Sequence, residues 1–358
     1  MRTAILVSAP FEPALAGRAA AGAIPRPDFL ALAEGLNAGL ITPWANERLP
    51  PKPVRFARAA WAAFRERERA EVLVSDVERV GILLALLLKL TRSRTRHIMI
   101  CHGKAIHPAD LRLIRAFNLQ THIHRFVCYG PLVAERLQSA LGLPPERVVY
   151  MPHAVDHHFW RPTPGEPERL IVSAGMLRRD YPILIEALQG LDLSLTIAAF
   201  SPWVEGGSSD LGLSLPPNVT VTRCGYPEMR ALYGRALFVA VPLKHSDAQS
   251  GSLVMYEAMA MGKAVVATAT KGQERLGILE PGRTGYYVAP GDRRGWREAI
   301  LKLSEHPDEA RAMGSRARSV VEQRLNQDRY VRQFVDVVAS LELKQEGAGD
   351  LIRRQRTV

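Results

Sequence analysis

The chain has 358 residues, 47% of them hydrophobic, which suits two domains better than a single core. Its three cysteines (Cys101, Cys128, Cys224) have no repeating spacing, so they give neither a disulfide framework nor a zinc site, and a reducing cytoplasm is the expected compartment. The net charge of +11 is uneven: residues 1–150 carry 21 Lys/Arg against 12 Asp/Glu and residues 151–358 carry 26 against 24, so an anionic partner is expected to meet the first half.

The chain opens with "MRTAILVSAPFEP", which alternates like a first strand, and its prolines end it before the apolar core of a signal peptide develops. "TAILVSA" (3–9), "EVLVS" (71–75), "HIMIC" (97–101), "HRFVCY" (124–129) and "RVVYM" (147–151) read as buried strands. Helical patterns separate them, among them "DVERVGILLALLLKL" (76–90) and "GPLVAERLQSAL" (130–141). The apolar run 80–90 is too short to span a bilayer. The polar, proline-rich "HHFWRPTPGEPER" (157–169) reads as a linker.

Alternation then restarts. Strands are expected at 170–175, 193–200, 218–224, 237–243, 264–270 and 284–290, and helices at 181–191, 252–262, 293–304, 306–325 and 327–345. The pattern predicts an α/β protein with two doubly wound, Rossmann-like domains facing across a cleft, residues 1–158 and 159–326, with helix 327–345 packing back on the first.

The segment "SGSLVMYEAMAMGKAVVATAT" (250–270) holds one acid, Glu257, among apolar and small residues. A helix starting near Ser250 directs free backbone N–H groups outward, and with Ser250, Gly251 and Ser252 it forms an anion cradle. Glu257 lies about two turns further in, roughly 10 Å along the axis, too far to hold the same anion. A carboxylate there suits a vicinal diol such as a ribose, or else it is a buried Glu paired with Arg or Lys.

"EAMAMGKAVVAT" (257–268) closely resembles the donor-site signature of family 4 glycosyltransferases, the retaining group with the GT-B fold. "VVYMPHAVDHHFWRP" (148–162), "IVSAGMLRRDYPILIEAL" (171–188), "GRTGYYVAPGD" (282–292) and "REAILKLSEHPDEARAMGSRAR" (297–318) resemble further elements of that family. The resemblance is strong over 148–325 and diffuse before it. It implies an N-terminal acceptor domain and a C-terminal donor domain that binds a UDP- or GDP-sugar as substrate. It implies hexosyl transfer with retention of configuration and no metal or cofactor. It assigns Glu257 to the donor ribose and 250–252 to the diphosphate or the sugar.

The family's loop after the first donor-domain strand carries an Arg and a Lys. Here, beyond Gly175, the Arg position reads Met176, and Arg178 and Arg179 are the expected substitutes. Eight residues before the ribose Glu the family usually has an acid; here Gln249 stands there, with Asp247 nearby to take its place. "TKGQERLGILEPG" (270–282) departs from the family's Gly-Gly loop but keeps Gly272, which with Gln273 is expected to face the sugar or phosphate. In the first domain His102 follows a strand, and the resemblance implies that it contacts the donor sugar. "HIH" (122–124) has no third ligand in view, so no metal is expected there.

Two alternatives stay open: a nucleotide-sugar epimerase of the same fold, and a nucleic-acid-binding protein suggested by charge alone, for which no motif is visible. No acid falls between Arg79 and Ala109, and Arg92, Arg94, Arg96 and Lys104 lead toward His102. That loop is expected to contact an anionic inner membrane face or an anionic acceptor, in keeping with a lipid-linked acceptor.

Overall fold

The computed structural model describes residues 1–44, 50–102, 107–199, 215–245 and 250–354, with residues 343–354 described as helical backbone. In chain order the elements are β1 (Thr3–Leu6), α1 (Leu15–Ala20), α2 (Asp28–Gly35), β2 (Gly39–Ile41), α3 (Lys52–Arg65), β3 (Val72–Ser75), α4 (Glu78–Leu90), β4 (Arg96–Cys101), α5 (Pro108–Ala116), β5 (Arg125–Cys128), α6 (Pro131–Leu141) and β6 (Val148–Tyr150). There follow β7 (Leu170–Ala174), α7 (Tyr181–Ala187), β8 (Ser194–Ala198), β9 (Val219–Thr222), α8 (Tyr226–Arg235), β10 (Phe238–Val241), α9 (Ser252–Ala260), β11 (Val265–Thr268), α10 (Lys271–Leu276), β12 (Gly285–Val288), α11 (Arg293–Glu305), α12 (Pro307–Val320) and α13 (Gln327–Arg354).

The chain divides into two units, residues 1–17, 27–152 and 328–358, and residues 18–26 and 153–327. Each holds a six-stranded sheet, ordered β2-β1-β3-β4-β5-β6 and β12-β11-β10-β7-β8-β9. Every pairing is parallel. Strands such as β3 (VLVS) and β10 (FVAV) are buried throughout, as parallel strands covered on both faces must be. In β10, Val239 and Val241 join one core cluster with α9, while Phe238 and Ala240 join the other with α7 and α11.

In the first unit α4 is the central covering helix. Val80, Leu84 and Leu88 pack with Ala59, Ala60, Ala63 and Phe64 of α3, and Ile82 and Ala85 pack toward Leu111 and Ile114 of α5. Each fully buried Leu here contributes roughly 1.5–3 kcal/mol. Helix α13 belongs to this unit: Tyr330 and Phe334 are buried, the Tyr330 and Tyr129 hydroxyls meet at 2.8 Å, and Arg125 donates to the Ser340 hydroxyl at 3.0 Å. It runs to Arg354, beyond the expected end at 345.

Both sheets have a switch point, where successive connections depart to opposite sides. It lies between β1 and β3 in the first unit and between β7 and β10 in the second. Ligands of doubly wound sheets bind at the carboxyl ends of the strands beside such a point. Arg96, read as part of an exposed basic loop, instead begins β4 and is half-buried, donating to the Met1 sulfur at 2.8 Å. Lys104 lies outside the described residues. Among the described residues no helix is long and apolar enough to cross a membrane.

Candidate active site

In the second unit the chain leaves β7 through Gly175, whose φ is +91°, a conformation that favours glycine. A Cβ there would also lie 2.6 Å from the Arg179 guanidinium. Arg178 follows in the left-handed region at φ +55°. Arg179 then pairs with Leu243 in an antiparallel bridge, Asp180 N–H donates to Pro242 O at 3.1 Å, and Lys244 N–H donates to Arg178 O at 2.9 Å. The two loops bordering the switch point are thereby laced together.

Arg179 is buried, and its guanidinium donates to the carbonyls of Ala174 (2.8 Å) and Leu177 (2.9 Å). Among the described residues it forms no ion pair. Burial holds its pKa below the usual arginine range, against the favourable influence of Tyr181 and Tyr233. A buried cation bonded only to carbonyls favours an anion in reach. Arg178 is exposed, and what it gives this arrangement is its carbonyl.

Helix α9 begins beside that guanidinium. Its N-cap Gly251 has φ +85°, and a Cβ there would come within 2.7 Å of Val241 and 3.5 Å of the Arg179 guanidinium. As a glycine, Gly251 has no side chain with which to cap the helix. The Ser250 hydroxyl is buried and has no partner among the described residues. The glycine-capped helix start, the serine and the guanidinium together make a site for an anion.

The segment expected to be a loop at 270–282 instead begins with the short helix α10, capped by Thr270 through the Gln273 N–H. Gly272 is buried inside that helix and brings no side chain to the site. Gln273, fully buried, turns its amide N–H toward Ser250 O (2.5 Å) and Ser252 Oγ (3.3 Å), while its amide oxygen has no partner among the described residues. This helix forms because Thr270 supplies the cap and Gly277 the left-handed stop.

Glu257 sits on the second turn of α9, partly open to solvent. Enough protein surrounds its carboxyl to push the pKa up to about 8, and a long 3.4 Å bond from the Tyr233 hydroxyl offsets this only in part. The expected alternative, a pairing with Arg or Lys, is not found among the described residues. Gly175, Arg179, Ser250, Gly251, Ser252 and Glu257 therefore gather at one switch point. Asp247 and Gln249 lie outside the described residues. Tyr233 was not anticipated; its tyrosine sits on α8, 24 residues from Glu257, and no local pattern signals the contact.

The first unit carries its own polar cluster at its switch point. Past β1, Ser8 donates through its N–H (2.7 Å) and hydroxyl (2.9 Å) to Asp76 Oδ2, just past β3. Oδ1 of Asp76 is buried without a partner among the described residues, and burial raises the pKa to about 6 against the Ser8 bonds. His102 is exposed at the end of β4. Its N–H donates to Glu78 Oε1 at 2.7 Å, and its Nε2 lies 2.6 Å from the Asp76 carbonyl, which requires the proton on Nε2. Its ring meets Tyr129 edge-on at 4.9 Å. His102 was anticipated; Ser8, Asp76 and Glu78 were not.

Two family models match the chain, one described as Glycosyltransferase Family 4 over residues 9–159 and one as Glycosyl transferases group 1 over residues 170–306. No curated protein matches it. Among solved structures, the chain is similar to HepE of Anabaena in complex with UDP: TM-score 0.66, 16% identity, 95% of this chain and 100% of that one covered. It is also similar to sucrose-phosphate synthase from Thermosynechococcus elongatus (0.68, 16%, 95% and 99%) and to a glycosyltransferase from Rickettsia africae (0.70, 14%, 94% and 97%). HepE has also been solved with UDP-glucose. With two Rossmann-like units, each built on a six-stranded parallel sheet, the chain has the GT-B fold and is a glycosyltransferase. It belongs to the family 4-like glycosyltransferases.

Proposed function

We propose that the chain transfers a hexosyl group from a nucleotide-diphosphate sugar to a hydroxyl acceptor with retention of anomeric configuration. The observation that carries this is the buried Arg179, which forms no ion pair among the described residues, set beside the glycine-capped start of α9, with Glu257 two turns along the same helix. The helix N–H groups, Ser250 and Arg179 take the diphosphate, and Glu257 takes the ribose diol. That UDP and UDP-glucose are held by the structurally similar HepE supports a nucleotide-sugar donor.

In the reaction the bond from the anomeric carbon to the β-phosphate oxygen breaks, and the acceptor oxygen bonds that carbon on the same face. The acceptor's proton passes to the departing phosphate oxygen. Positive potential at the helix start is worth most as leaving-group charge grows. Asp247 and Gln249 are assigned to the sugar hydroxyls. His102 is assigned to the donor sugar, as the family resemblance implies, and Asp76 to the acceptor, its Oδ1 accepting from a hydroxyl. A lipid-linked or anionic acceptor agrees with the charge of the first half.

The test is a thermal-shift screen with nucleoside diphosphates, followed by mass spectrometry of products from the sugars of the best-bound nucleotide. A nucleoside diphosphate is expected to raise Tm, and a glycosylated acceptor with retained configuration is expected as product. Epimerised sugar formed from donor alone would overturn the transferase reading.

A further inference from the structure

The first unit presents an outward surface that its fold does not account for. Among the described residues nine large apolar side chains are exposed, and five of them, Val54, Trp61, Leu90, Leu113 and Phe117, lie on α3, on α5 or just after it, and at the end of α4. These helices share one side of the sheet. Their inner faces pack on Ala4, Leu6, Met99 and Cys101, which point to that side, and Lys89 Nζ ties the α4 end to Phe117 O at 2.8 Å.

On α3 the exposed Val54, Arg58, Trp61 and Arg65 follow one another at helical spacing, so they form one outward stripe. Such a stripe is ordinarily polar, yet here a tryptophan is 53% exposed at its centre. With Pro43, Ala57 and Ala62 the two arginines line a shallow apolar hollow around it.

Charge decides what this layer meets. Residues 52–65 hold Lys52, Arg55, Arg58 and Arg65 and no acid. The α4 end and the turn after it add Lys89, Arg92 and Arg94; α5 adds Arg112 and Arg115, with Asp110 the one acid in its span. Exposed aromatic and aliphatic side chains amid cations of one sign match the interface of an anionic bilayer. There the rings sit at headgroup depth and the long basic side chains reach the phosphates.

We propose that the α3–α4–α5 layer of the first unit docks on anionic phospholipid, with Trp61 inserted and Arg58 and Arg65 on the headgroups. This inference does not depend on the donor reading.

Co-sedimentation of the full chain with phosphatidylglycerol–phosphatidylcholine vesicles tests it, with pure phosphatidylcholine vesicles alongside. Binding is expected on the mixed vesicles, falling as salt rises, and about tenfold or more weaker on the neutral ones. Trp61→Ser should lower binding about tenfold and abolish a blue shift of tryptophan fluorescence on vesicle addition. Arg58→Ser with Arg65→Ser should weaken binding and flatten its salt dependence. All three side chains are exposed, though the Arg58 guanidinium lies 4.7 Å over the buried Trp44 ring, so every variant should keep the wild-type circular dichroism and any fall in Tm should be confined to Arg58→Ser. Three results would each overturn the proposal: equal binding to neutral and anionic vesicles, no binding to either, or unchanged binding by Trp61→Ser. So would a change of oligomeric state in Trp61→Ser without vesicle binding, which would make the layer a protein interface.

Discussion

Glu257 and Arg179 carry the sharpest consequences. Removal of the carboxylate in Glu257→Ala should weaken nucleoside diphosphate binding by about 1–3 kcal/mol, measured by calorimetry, with folding largely kept. Hydrogen-bond donors from a ribose favour the charged form of a carboxyl whose pKa stands at about 8, so binding should release a proton. Affinity should then rise with pH up to about 8 and level off above it, and heats measured in buffers of different ionisation enthalpy should differ. Arg179→Ala should cost stability as well as transfer, because its fork also holds two loop carbonyls, and Arg179→Lys should recover little of either. Arg178→Gly discriminates between roles: relief of its left-handed backbone should stabilise by up to about 1 kcal/mol, whereas a phosphate role predicts lost turnover. Glu257, Ser250 and Gly251 could be read from the chain because one acid in an apolar helix and a Ser-Gly-Ser start are local patterns. Asp76 could not, since its partner Ser8 lies 68 residues away and only the fold brings them together.

The site rests on elements held by close contacts of small residues. Helix α12 crosses the end of α9 at Gly314, where a Cβ would fall 2.0 Å from the Gly262 carbonyl oxygen. Gly314→Ala should therefore displace α9, lower stability by about 1–3 kcal/mol or more, and weaken nucleotide binding in parallel; Tm and Kd measured together check this. The buried strands and the strongly patterned helices α4, α6, α9 and α11 are legible because each keeps a long apolar run or face. Helix α3 is amphipathic, with Ala59, Ala60, Ala63 and Phe64 buried and Arg58 and Arg65 exposed, so its face was legible in the sequence although it is not among the elements expected there. Strand β2 escaped notice because it is a three-residue edge strand, half-exposed. Helix α10 escaped because six residues with an internal glycine carry no period, and only the Thr270 cap marks its start.

At the scale of the molecule, buried titrating groups set opposing pH limits. His97, buried and bonded to Ser75, and His124 are pushed down to about 3 and about 4, chiefly by burial. The unfolded chain binds those protons first, so the stability they allow is lost as pH falls below the ordinary histidine value. Asp76 and Glu257 are raised to about 6 and about 8, so the folded chain binds their protons more tightly and stability falls as pH rises toward those values. Tm should peak in weakly acidic solution, and Glu257→Gln should flatten the decline between pH 5 and pH 8. Helix α13 has a further consequence, one of timing. The first unit's sheet is complete at Tyr150, but the helix that meets Tyr129 and Arg125 begins only at Gln327. At translation rates of roughly 5–20 residues per second, that helix is made some 10–35 s later. On the ribosome the first unit must wait, unfinished, while the whole of the second emerges, so the part begun first is the last to be sealed.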